Sequence, residues 1–308
     1  MQRSVYAADI KELLNQFPIV ALVGPRQCGK TTLALEINST GAVQPEENRF
    51  DLESPASRAR LENAEQVLGR LHGLVVIDEI QLRPELFPLL RVLADRPGVP
   101  ARFLILGSAS PSLIHGVSES LAGRVAFVEM TGFDLTETGT DRWRDLWLRG
   151  GFPRSYLAAS DSASFGWREQ FVRTFLTLDM PQLGIAIPAP QMRRFWIMMA
   201  HYHAQTWNSS EIKGSLGISD KTARHYLDIL TGAFMVRQLP MDRKCGQTPA
   251  AQSLSARQRN FSQPDGHSFV GGAGGASETG RIVGRFRPRA NAAGVESADR
   301  RGVLLGGA

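Results

Sequence analysis

The chain has only two cysteines in 308 residues, so no disulfide framework is available to staple a fold. Cys28 lies in a glycine-rich turn and Cys245 in a polar stretch, which fits a reducing, cytoplasmic setting. No apolar run approaches the ~18 residues of a membrane-spanning helix, and no membrane association is expected. Met1-Gln2-Arg3-Ser4-Val5 lacks the apolar core of a secretory signal. Histidines are sparse. His201 and His203 fall about 200° apart on a helix and have no cysteine or carboxylate partners at ligand spacing, so a metal centre is not indicated. No G-x-S-x-G elbow occurs, which leaves a serine-hydrolase triad without support. A charge excess is also missing from the main body. Residues 1–239 carry 25 basic and 25 acidic side chains, so the net +5 belongs wholly to residues 240–308. The basic balance therefore says little about nucleic-acid binding by the folded part.

Against these absences stands one dense motif. Residues 24–31, Gly-Pro-Arg-Gln-Cys-Gly-Lys-Thr, fit the phosphate-binding pattern G-x-x-x-x-G-K-[ST]. The apolar run 19–23 before it suits a buried parallel strand, and residues 31–37 after it open a helix. A strand–loop–helix unit of this kind gathers backbone N–H groups and a helix N-terminus around an anion. Gly24, Pro25, Arg26, Gln27, Cys28, Gly29, Lys30, Thr31 and Thr32 form the candidate nucleotide-binding set. Lys30 adds a point charge for the β- and γ-phosphates, and the Thr31 hydroxyl is a candidate Mg²⁺ ligand.

Leu74-Val75-Val76-Ile77-Asp78-Glu79 supplies the complement, four apolar residues ending in two carboxylates. Nucleoside triphosphate hydrolysis needs one carboxylate at the metal and one at the attacking water. Asp78 is the candidate metal residue and Glu79 the candidate base. The run 103–107 is another buried strand, and Ser108 at its end is a candidate sensor of the γ-phosphate. Arg124, alone before the run 125–129, is a candidate arginine finger, in its own chain or across a subunit interface.

Strand candidates at 19–23, 74–77, 103–107 and 125–129 alternate with amphipathic stretches such as 84–95, which predicts an α/β fold with a parallel sheet over residues 1–139. Residues 140–205 read as a helical segment broken at Gly150-Gly151-Phe152-Pro153. Trp143, Leu146, Trp147, Phe171, Phe175, Phe195, Trp196 and Met199 recur there at helical spacing, which predicts a core stripe. Residues 206–239 read as a helix-turn-helix followed by a strand, in the manner of a winged-helix domain. Asn208 with Glu211 suggests a capping box, Gly217 a turn, and Ser219 a second cap. Residues 240–308, rich in Gly, Ala, Arg and Ser, lack apolar periodicity and are expected to be disordered.

Taken together, the motifs resemble the bacterial and archaeal P-loop ATPases of the AAA superfamily whose core precedes a C-terminal domain of unknown function. The landmarks are residues 24–31, Phe-Asp-Leu-Glu at 50–53, Val-Ile-Asp-Glu-Ile-Gln at 76–81, Gly-Ser-Ala-Ser at 107–110, Ser-Leu-Ala-Gly-Arg at 120–124 and Gly-Gly-Phe-Pro at 150–153. The resemblance implies ATP and Mg²⁺ as cofactors, Lys30 and Asp78 as site residues and Arg124 as a functional arginine, with homo-oligomers common in the superfamily. At 177–179 this chain reads Thr-Leu-Asp where relatives tend to carry an acidic–Arg–Asp sequence. Relatives also continue past the helix-turn-helix into a packed domain. Here, codons permitted for residues 241–249, 257–267 and 280–286, read one nucleotide later, give strings similar to that domain, so a frameshift near residue 240 is expected. The leading expectation is an Mg²⁺-dependent ATPase. Two alternatives stay open: a nucleotide-gated regulator contacting DNA or protein through residues 206–239, and a non-functional fragment of such an ATPase.

Overall fold

The computed structural model describes residues 3–39, 46–98, 101–108, 117, 119–203, 205–239 and 253–256. Five parallel strands form its centre: β1 (Ile19–Gly24), β2 (Arg49–Asp51), β3 (Leu74–Asp78), β4 (Arg102–Ser108) and β5 (Val125–Glu129), in the order β2-β3-β4-β1-β5. Four were legible as apolar runs. Strand β2 is three residues long with only Phe50 buried, too short to leave a pattern.

Both faces of the sheet are covered, as a parallel sheet requires. Along β1 the side chains alternate. Ile19, Ala21 and Val23 join one core with Phe103, Ile105 and Ile77, while Val20 and Leu22 join the opposite one with Leu104 and Leu106. The helix Leu86–Ala94 buries Leu86, Phe87, Leu90 and Leu93 against the first face. The helices Ser4–Gln16 and Lys30–Ser39 close the second through Ile10, Leu14, Leu33, Ala34 and Ile37. Each fully buried Leu, Ile or Phe contributes about 1.5–3 kcal/mol, so the sheet is a rigid base for the loops at its rim.

Past the sheet, the chain folds through the helices Trp143–Arg149, Pro153–Tyr156, Asp161–Thr174 and Ala189–His201. The Asp161–Thr174 helix runs directly into a π-helical turn, Phe175–Asp179, which the spacing of apolar residues did not announce. The helices Ser209–Leu216 and Asp220–Gly232 follow, then β6 (Val236–Leu239), paired antiparallel with β7 (Ser253–Ala256). One hydrophobic core runs from Phe152 through Phe171, Phe195 and Trp196 to Tyr226, Leu230 and Val236. The helical segment and the helix-turn-helix therefore share a single core.

Some local expectations need correction. Phe171, Phe175, Phe195, Trp196 and Met199 are buried, but Trp143 and Trp147 are 50% and 47% exposed. Their helix has no buried residue, so its stripe faces outward. Asn208 caps its helix through the Ser210 N–H at 3.1 Å. Its amide donates to the Glu211 carboxylate, so the reciprocal box does not form. Ser219 caps the second helix through the Thr222 N–H, and Gly217 makes the turn between them. The tail from 240 onward, with its expected frameshift and disorder, lies outside the described residues apart from 253–256. No helix among the described residues is long and apolar enough to cross a membrane.

Candidate functional site

Because every strand of the sheet is parallel, segments that follow strands gather at one rim. Register brings Gly24 of β1 level with Ser108 of β4, and Asp51 of β2 level with Asp78 of β3. Strand β4 lies between β1 and β3, which separates the glycine-rich loop from the acidic strand end by two strand spacings, about 10 Å. Side chains close that gap.

The loop leaves β1 at Gly24 and re-enters regular structure at Lys30, the first residue of the following helix. Gln27 and Gly29 have φ of 60° and 101°, positive backbone angles of the kind found in anion-binding concavities. Lys30 is buried, and its Nζ donates to the Gly24 carbonyl at 3.2 Å and the Pro25 carbonyl at 2.9 Å. Thr32, next along the helix, is exposed. Behind the loop lies a residue that sequence reasoning missed. Arg3 donates to the Cys28 carbonyl at 3.3 Å and the Thr131 carbonyl at 2.9 Å, and pairs with Glu137 at 3.0 Å. An arginine before the first helix carries no motif, so only the fold reveals it.

The Thr31 hydroxyl donates to Asp78 Oδ2 at 2.6 Å, joining the loop to β3. Burial holds the Asp78 carboxyl above the usual aspartate range, partly offset by this hydrogen bond, and the neighbouring Glu79 charge raises it further. A hydroxyl and a carboxylate side by side are hard oxygen donors, the chemistry that a small divalent cation takes. Glu79 sits in the left-handed region at φ 54°, a conformation that costs a non-glycine residue about 1–3 kcal/mol and concentrates at functional sites. Its own N–H donates to Asp78 Oδ1 at 2.9 Å. Its carboxylate accepts from Gln81 Nε2 and from the Ser108 hydroxyl, the latter at 3.3 Å. Gln81 also donates to Ser108 Oγ at 2.9 Å. Glu79, Ser108 and Gln81 thus form one cluster. Gln81 lies in the Asp-Glu-Ile-Gln string, but its residue type alone carried no role.

Gly150-Gly151-Phe152-Pro153 also has a structural reason. A Cβ on Gly151 would sit 2.4 Å from the Phe133 carbonyl oxygen, so glycine is required where the backbones touch. This contact seats Pro153 beside Gly29, 3.8 Å from where a Cβ there would lie.

Arg124 does not join the cluster. Its carbonyl accepts from the Ile19 N–H, at the start of β1 and the opposite rim of the sheet. Its guanidinium makes two hydrogen bonds to Asp95, at 2.6 and 2.7 Å, and holds that carboxyl below its usual range.

Residues 16–139 match the model of an AAA domain, and residues 140–246 match that of a domain of unknown function. The chain belongs to the AAA-type P-loop ATPases with a C-terminal domain of unknown function. Uncharacterized proteins of Mycobacterium tuberculosis and Mycobacterium bovis are each 47% identical over 259 residues, 84% of this chain. That match spans 56% of each relative's length, so the chain corresponds to little more than half of them. A solved Walker-type ATPase of Pyrococcus abyssi is similar in fold, with a TM-score of 0.50 and 14% identity over 83% of this chain and 93% of that one. The cluster at the sheet rim therefore lies within the residues that match the AAA domain.

Proposed function

We propose that this AAA domain binds ATP with Mg²⁺ and hydrolyses it. The observation that carries the reading is the 2.6 Å contact from Thr31 to Asp78, which joins the phosphate loop to the acidic strand end across β4. The loop N–H groups and the buried Lys30 ammonium hold the phosphates. Thr31 and Asp78 hold Mg²⁺, which supplies charge neutralisation when bound. Glu79 orients the attacking water and takes its proton. Ser108 and Gln81 fix the Glu79 carboxylate, so catalysis is mostly positioning and preorganised charge. Arg124, at the far rim, acts on a nucleotide only across a subunit interface in a homo-oligomer. Calorimetric titration with Mg·ATP tests the first step. No heat with the parent chain overturns the proposal, and loss of heat on Lys30→Ala supports it.

A second reading rests on residues 206–239. Two helices joined by a tight turn and followed by the β6–β7 pair have the order of a winged helix, a unit that contacts DNA or another protein. Its two helices carry the basic side chains Lys213, Lys221, Arg224 and His225, but Arg224 is already 3.5 Å from Asp228 in the same helix. Protein contact is therefore favoured over DNA. Salt-dependent retention of the chain on duplex DNA reverses that order.

A further inference from the structure

One side chain of the phosphate loop leaves its own domain. Arg26 makes a close ion pair with Asp179, and its second terminal nitrogen lies 3.8 Å from Glu53 Oε1. Asp179 ends the π-helical turn, and its side chain is 9% exposed. Phe175, Leu176 and Met180 around it are buried in the core of the second domain. The carboxylate is thus fixed to that core, while the guanidinium is fixed to the loop. Single π-helical turns inside α-helices occur often at functional sites.

The pair sits in a demanding electrostatic setting. Burial raises the Asp179 carboxyl above its usual range, Arg26 opposes that rise, and the Glu79 charge adds to it. Glu53, the other carboxylate beside Arg26, is raised by burial and then by Glu79. Among the described residues, Arg26 is the only cation paired with Asp179. A buried carboxylate that loses its cation while facing another carboxylate is strongly disfavoured. Arg26 keeps 28% of its side chain exposed, so it stays accessible to a new anion.

We propose that Arg26 and Asp179 form a latch between the AAA domain and the following domain, which a triphosphate in the phosphate loop opens. This rests on the reading that the loop binds Mg·ATP. The phosphates draw Arg26, and Asp179, held by its own core, cannot follow. Once Asp179 is left without its cation, the π turn loses its tie to the loop. Linkage then works in reverse as well: breaking the latch tightens triphosphate binding.

Hydrogen exchange on the full chain, with and without a non-hydrolysable Mg·ATP analogue, tests this alongside fluorescence titration of nucleotide affinity. The expected result is faster exchange over residues 175–182 on saturation with the analogue, and less with Mg·ADP. Asp179→Asn shows the faster exchange without ligand and binds the analogue roughly fivefold tighter or more, the low end of typical coupling, with a smaller gain in Mg·ADP affinity. Arg26→Met also shows the faster exchange without ligand. Exchange that stays constant or slows when the parent chain is saturated overturns the latch while leaving the nucleotide reading intact. Equal loss of both affinities in Asp179→Asn marks a merely structural contact and also overturns it. Absence of nucleotide binding by the parent chain removes both proposals together.

Discussion

The two rims of the central sheet are built from the same strands and have opposite character. At the rim where strands end, Lys30, Asp78 and Ser108 are buried, and Asp78, Glu79, Ser108 and Gln81 are tied to one another or to the loop. At the rim where strands begin, Arg124 and Asp95 form an exposed pair. Isolated surface pairs contribute little, whereas removing one member of a buried polar cluster leaves its partners desolvated and unmatched. The sheet gathers its buried polar chemistry at one end and makes an ordinary surface at the other.

This asymmetry can be broken by substitution. The largest expected effect is at Glu79. Glu79→Gln lowers ATP turnover by about 10²–10⁴-fold, the range for loss of a general base, while Mg·ATP affinity holds. Turnover at the parental rate would remove Glu79 as the base. Next is Lys30→Ala. Loss of a buried charged contact costs about 3 kcal/mol, which reads as roughly a hundredfold weaker binding by calorimetry. A Cβ at Gly151 cannot be accommodated without moving backbone, so Gly151→Ala lowers stability by about 2–3 kcal/mol in urea unfolding. Gln81→Leu frees one side of the Glu79 carboxylate and lowers turnover about tenfold, with affinity unchanged, by the loss of one charge-assisted hydrogen bond. The smallest effect falls at the far rim. Arg124→Ala leaves the unfolding midpoint and nucleotide affinity of dilute chain unchanged, and a fall in turnover that grows with protein concentration assigns its role to a subunit interface.

Much of the candidate rim was legible because its chemistry is sequence-local. The phosphate loop needs residues 24–31 in order, and the acidic pair must follow a buried strand. Contacts that cross the fold were silent. Arg3 reaches the back of the loop from before the first helix, and Asp179 reaches its front from a π turn. Arg3 belongs to no motif, and the resemblance marked residues 177–179 without naming a contact, since each contact is defined by where tertiary packing delivers it. The position of Arg124 carried a usable signal. In a parallel sheet, a residue just before a strand lies at the rim opposite to the loops that follow strands. Trp143 and Trp147 show the limit of periodicity, because four-residue spacing fixes a shared face without saying which way it points.

The uninterrupted core from Phe152 to Val236 has a mechanical consequence. Close-packed interiors transmit strain instead of absorbing it. A push on the π turn at Asp179 is therefore not dissipated between the long helices and the helix pair 209–232. In the proposed latch, that pair belongs to the same packed block as the π turn, as the far arm of a lever whose short arm lies beside the loop.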